Sequence, residues 1–243
     1  MKSAHFLELE LERERHLNKV KDKLVMSYVK ESRALSKQLI NKIQLLAAKN
    51  KELQEMTLKV IETLATTLEA RDSYTRGHST RVSIYAANTA RYMGQDEEHC
   101  LQLEVDGLLH DLGKIGVPDA ILNKPGKLSE EEYETMKKHP LLASQILSAL
   151  DNMKEMCLWI NAHHERFDGK GYPLGLKEKE IPREGSILAL ADSFDAITTD
   201  RPYRKARSKE DAAEELSRCS GSQFNPEITE VFLSNLNKIT LLP

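Results

Sequence analysis

The first glycine of this 243-residue chain is Gly77 and the first proline is Pro118. A stretch of 76 residues without either breaker, rich in Leu, Lys, Glu and Gln, strongly favours a helix. Apolar residues recur at Leu17, Val20, Leu24, Tyr28, Leu35, Leu39, Ile43, Leu46, Leu53, Met56, Val60 and Leu64, in steps of three, four or seven that trace one helical stripe. Unbroken, such a helix is roughly 100 Å long and cannot bury the stripe by itself. It must pair with a second copy or fold back near Glu31-Ser32 or Asn50. The preferred expectation is a parallel coiled coil in a homodimer.

From about Leu58 the texture changes, which predicts two parts: a signalling and dimerisation segment over 1–57 and a second domain over 58–243. In the second part helical patterns cover 82–93, 98–113, 129–139, 141–150, 156–166, 187–199, 209–219 and 226–236, separated by polar loops bearing Gly and Pro. Ser129 with Glu132 reads as a capping box, and Asn225-Pro226 as an N-cap followed by proline at the first helical position. Alternating strand patterns are absent, and Ile115–Val117 is too short to build a sheet. The fold class is therefore all-α.

Bulk properties narrow the function further. Hydrophobic content of 40% supports a packed core, and a net charge of −3 offers no basic excess for a nucleic acid polymer. Cys100, Cys157 and Cys219 are too few and too scattered for a disulfide framework and read as small apolar residues in a reducing compartment. The start, MKSAHFLELELERER, has no apolar signal core, and no run approaches the ~20 residues that cross a bilayer. A cytoplasmic protein without membrane insertion is expected, its sensor lying upstream or on another chain.

The histidines carry the chemistry. Of eight, His5, His16 and His99 lie in polar helical surroundings and read as surface residues. The other five sit at prepared places: His78 after Gly77 at a loop-to-helix junction, His110 before Asp111 in LLHDLG, His139 ending a helix in KKHP, and the pair His163-His164. A single histidine on an apolar face is usually a satisfied core residue. Five together, most near carboxylates or helix ends, point to a metal site, since imidazole mixed with carboxylate suits Fe, Mn or Zn. Neighbours on a helix project about 100° apart. His163 and His164 therefore serve two ions rather than one, and Asp111 has two oxygens with which to bridge metals roughly 3.5–4 Å apart.

These residues resemble the HD phosphohydrolases, named for a pair like His110-Asp111, and more closely their HD-GYP subfamily, whose members include cyclic di-GMP phosphodiesterases. The motifs are RDSYTRGHSTRV (71–82), LLHDLGKIGVPDAILNKPGKL (108–128), MKKHP (136–140), HHERFDGKGYP (163–173) and ADSFDAITTDRPYRKA (191–206). The resemblance implies an HD-domain helical bundle extended by HD-GYP helices. It implies metal ligands at His78, His110, Asp111, His139, His163, His164 and Asp192, with Asp111 the bridge. Some members hold a third metal through a Glu one turn before the residue matching His78; Tyr74 stands there, so two divalent ions are expected, although Glu69 could substitute. Fe or Mn is implied, with Zn a competitor.

The implied reaction is attack of a metal-activated water on a cyclic dinucleotide, cyclic di-GMP first, giving linear pGpG or GMP. Alternatives are another nucleotide substrate, such as cGAMP or a phosphomonoester, and a non-catalytic receptor or docking module. Asp111 and Lys114 are the expected catalytic pair, Lys114 clamping phosphate one turn after His110. Arg201 and Arg204, in the basic run RPYRKAR, are placed as phosphate readers. Glu165 and Asp168 are read as a base or, preferred, as groups that orient ligand imidazoles. Gly169 and Gly171 permit a tight loop, Pro173 stiffens its exit, and Tyr172 packs that loop or stacks on guanine. An upstream sensor or a diguanylate cyclase is the expected partner.

Overall fold

The computed structural model describes residues 2–71, 77–150, 153–200 and 204–240. The chain divides into two compact units, Met1–Thr57 and Leu58–Pro243. The first contains only helix α1, which runs Lys2–Glu69 and so ends in the second unit. Leu17, Leu24, Tyr28, Leu35, Ile43 and Leu46 on its stripe are exposed, as the periodicity of a helix without an internal partner requires. No helix among the described residues is long and apolar enough to cross a membrane.

In the second unit α2 (His78–Tyr92) pairs most extensively with α3 (Glu97–Leu109). A 3-10 turn (Leu112–Gly116) and α4 (Asp119–Leu122) lead to α5 (Glu130–Met136) and α6 (His139–Leu147). Then come α7 (Lys154–Asn161), α8 (Arg183–Thr198), α9 (Lys209–Arg218), α10 (Pro226–Ser234) and α11 (Leu236–Ile239). No strand occurs among the described residues, so the chain is all-α.

Two apolar clusters hold this unit together. The larger surrounds α8, whose Ile187, Leu188, Leu190, Ala191 and Phe194 are buried against Val82, Tyr85 and Ala86 of α2 and Leu216, Ile228 and Phe232 of α9 and α10. The helix is apolar nearly all round because it runs through the middle. The smaller joins Ile61 and Ala65 of α1 to Leu108, Leu109, Ala143, Leu147, Cys157 and Ile160. Every residue in that list from Leu108 onward lies on α3, α6 or α7.

Both caps read from the sequence are present: the Ser129–Glu132 capping box and Asn225, whose side chain accepts from the N–H groups of Glu227 and Ile228. Three of the boundaries that differ bear on the histidines. The helix expected over 98–113 stops at Leu109, and that expected over 156–166 stops at Asn161. His139 opens α6 instead of ending α5, and Pro140 suits the first turn of the new helix. His99 is also only partly exposed: its Nε2 lies 3.0 Å from Glu184 and its ring packs on Trp159.

Candidate metal centre

The shortened helices explain the site. Just beyond the ends of α3, α5 and α7, an imidazole turns back onto a last-turn carbonyl of the helix it follows. His110 Nδ1 donates to Gly107 O (2.7 Å), His139 Nδ1 to Met136 O (2.8 Å) and His163 Nδ1 to Ile160 O (2.5 Å). These carbonyls are ones a helix leaves unsatisfied. A carbonyl only accepts, so each Nδ1 carries the hydrogen and each Nε2 of a neutral ring is a lone pair. Helix C-termini also carry partial negative charge, which favours a cation at the point where three of them meet.

The lone pairs converge. His110 Nε2 is buried with no hydrogen-bond partner, and His139 Nε2 lies 3.4 Å from His163 Nε2, acceptor facing acceptor. Burial pushes His110 below the ordinary histidine range, and burial together with His164 and other neighbouring imidazoles pushes His163 well below it. Burial and then His139 bring His164 down to about 3. The donor set therefore fits metal ions.

The potential ligand atoms fall into overlapping sets. His78, His110 and Asp192 form one, and His139, His163 and His164 another, while His110, Asp111 and His163 lie between them. Asp111 Oδ1 is 3.3 Å from His139 Nε2, and its Oδ2 is 3.5 Å from His110 Nε2 and 3.8 Å from His78 Nε2. One carboxylate thus offers an oxygen to each side. Burial works against its charge, but Lys114 and the surrounding histidines hold it ionised, well below the usual carboxylate range. His163 and His164 follow the end of α7, so their rings escape helical spacing, lie 4.0 Å apart, centroid to centroid, and share one donor set with His139 instead of serving two ions as helical spacing implied.

His78 is supported differently, by a ladder between α2 and α8. Its Nδ1 meets Asp195 Oδ2 at 2.8 Å and its Nε2 lies 3.3 Å from Asp192 Oδ1. Arg81, one turn along α2, grips the same Asp195 through Nε (2.6 Å) and Nη2 (3.0 Å). Burial opposes a charge on His78, but Asp192 and Asp195 outweigh it and raise the ring to about 9. Asp195 and Arg81 are absent from the residues singled out by sequence. The available signal was their spacing, each three residues after a proposed ligand.

The remaining residues take varied places. Lys114 Nζ is 2.6 Å from Asp111 Oδ2. The hydrogen bonds of Glu165 and Asp168 go to their own loop. Glu165 is buried and accepts from the N–H groups of Leu174 (2.7 Å) and Gly175 (3.0 Å), which pins the loop after Pro173. Asp168 is held by both ends of the Arg166 guanidinium and by the Lys170 N–H.

Gly169 has φ +75°, and a Cβ on Gly171 would lie 2.4 Å from Arg166 N. Tyr172 lays its ring on His164 with centroids 4.7 Å apart and meets Tyr133 edge-on. Arg204 donates to Ala196 O and lines a cavity of about 290 Å³ with Ser193, Ile197 and Arg207. Tyr74 and Arg201 lie outside the described residues. Glu69, the possible third-metal donor, instead accepts the N–H groups of Gly77 and Ser79.

An all-helical domain with a buried His/Asp cluster suited to metal ions is the class that fold and site define. The chain belongs to the HD domain family, whose pattern matches residues 43–228, and its motifs set it in the HD-GYP branch of that metal-dependent family. It is 42% identical over 194 residues to a cyclic di-GMP phosphodiesterase of Thermotoga maritima, covering 78% of this chain and 52% of that protein. It is 38% identical over 176 residues to the 3'3'-cGAMP-specific phosphodiesterase 3 of Vibrio cholerae, covering 72% and 38%. Among solved structures, Bd1817, an HDG"Y"P protein from Bdellovibrio bacteriovorus, superposes with a TM-score of 0.53 at 25% identity, over 66% of this chain and 51% of that one. The chain spans about half the length of the first of these relatives, or less.

Proposed function

We propose that this protein is a metal-dependent phosphodiesterase that hydrolyses a cyclic dinucleotide, cyclic di-GMP before others, to the linear dinucleotide or to the mononucleotide. The carrying observation is the convergence of His110, His139 and His163 Nε2, that of His110 without any hydrogen-bond partner, around an Asp111 that offers one oxygen to each side. His78, His110 and Asp192 would hold one ion and His139, His163 and His164 the other, with Asp111 bridging. Fe or Mn suits this donor set, and Zn competes. Bound there, two ions would supply an acidified water and neutralise charge on a phosphodiester.

The protein's own groups do the rest. Lys114, beside Asp111, sits where a non-bridging phosphate oxygen needs a cation. Tyr172 fixes the ring of His164, and Glu165 holds the loop that carries Tyr172. Arg201 and Arg204 are the candidates for the second phosphate. The cGAMP-specific relative supports a second reading, in which the substrate is a mixed cyclic dinucleotide. The exposed stripe of α1 supports a homodimer and a path from an upstream sensor or diguanylate cyclase.

The test is hydrolysis of a panel of cyclic dinucleotides by protein loaded with Mn or Fe, with Asp111→Ala alongside. Turnover of cyclic di-GMP ahead of cGAMP, abolished by Asp111→Ala, is expected. Tight binding without turnover would make the domain a receptor, and turnover indifferent to Asp111→Ala would remove the site described.

A further inference from the structure

Glu69 is the last residue of α1, and its two carboxylate oxygens are spent on two backbone groups. Oε2 accepts the Gly77 N–H at 2.7 Å and Oε1 the Ser79 N–H at 2.8 Å. Between them stands His78. These N–H groups open α2, where a helix has no internal acceptors to offer and where Gly77 has no side chain to cap with. The ring of His78 is aimed by Asp195, and its backbone is held on either side by Glu69. Position and direction of one imidazole thus depend on two carboxylates from two different helices.

We infer that Glu69 is a positioning residue for His78 and the link through which the end of α1 sets the His78–His110–Asp192 donor set. This rests on the metal-dependent reading above. One further observation makes α1 able to act as that link. Ile61 and Ala65 pack into the cluster built from α3, α6 and α7, the helices that carry or precede His110, His139 and His163. Arg71, two residues beyond Glu69, donates to Ile115 O (3.0 Å) and pairs with Asp119 (2.7 Å), just past Lys114. Of these grips, only that of Glu69 holds the backbone on both sides of a proposed ligand.

The experiment is a Mn²⁺ titration of the metal-free full-length chain, by calorimetry and metal analysis, with helix content monitored. Wild type should take up two ions. Glu69→Gln has one acceptor oxygen left and turns an NH₂ toward an N–H. It should keep its helix content and one binding step while weakening the other by about tenfold or more. Asp195→Asn, which loosens the same ring, should weaken the same step. Glu69→Asp keeps both acceptors and should recover part of the loss, whereas Arg71→Ala should leave both steps unchanged. Two wild-type steps in Glu69→Gln would overturn the inference, and so would a loss spread equally over both steps and shared by Arg71→Ala. Wild type that takes up no Mn²⁺ would instead overturn the metal-dependent reading and this inference with it, before any variant is compared.

Discussion

His78 differs from the other proposed ligands in charge as well as in support. Burial disfavours its protonation, yet Asp192 and Asp195 raise it to about 9, while His110 and His163 are pushed down by burial. In the metal-free protein the imidazolium therefore stabilises the fold, on the order of 3 kcal/mol for a rise from 6.5 to about 9. The folded pKa lies above the unfolded one, so this contribution is complete below pH 6.5 and lost as pH rises toward 9. Thermal unfolding of metal-free protein should show the melting temperature falling across that window. Metal-loaded protein should lack the fall, because the ion takes the proton's place. Parallel curves would show that His78 is not the group concerned. The proposed ligands could be named from sequence because each stands in a short motif of unusual residue types. Asp195 and Arg81 could not, since an Asp or Arg one turn along a helix reads as a solvated face until α2 and α8 are known to pack together.

At the scale of elements, the decisive feature is where three helices stop. Sequence alone carries α3 through to Gly113, since LLHDLG is apolar and one glycine does not end a helix. What ends it is contact with α6. A Cβ on Gly113 would lie 1.9 Å from His139 O and 2.6 Å from Ala143 N. The chain tightens into a 3-10 turn that lies against α6, and Asp111 is brought to within 3.3 Å of His139 Nε2. Gly113→Ala must push the turn and α6 apart. A loss of about 1–3 kcal/mol in stability is expected, with uptake of both metals reduced because Asp111 and His139 separate. Denaturant unfolding and metal analysis of this variant check both effects. A variant of wild-type stability with full metal content would mean that the approach of these two elements does not shape the site. The same kind of tertiary contact, invisible to periodicity, makes Glu165 the anchor of Leu174 and Gly175.

For the whole molecule, the all-helical class followed from the missing strands and the early absence of glycine and proline, but the use of the long helix did not. Every buried core residue among those described lies at Ile61 or beyond, on the second unit. Removing 1–57 therefore removes no core side chain, and it leaves Ile61, Ala65 and Glu69 to close the second unit. What it does remove is the larger part of the exposed stripe, including Leu17, Leu24, Leu35 and Ile43. Such a stripe is stable in water only when another apolar face covers it, and a second copy of the same helix offers the matching spacing. Light scattering should find the full-length chain dimeric and the 58–243 fragment monomeric, with two metals still bound and an unchanged unfolding midpoint. A dimeric fragment would move the interface into the second unit, while a monomeric full-length chain would leave the stripe to a different partner. A monomeric fragment that had also lost its metals would show that α1 supports the site from before Leu58, not only through Ile61, Ala65 and Glu69.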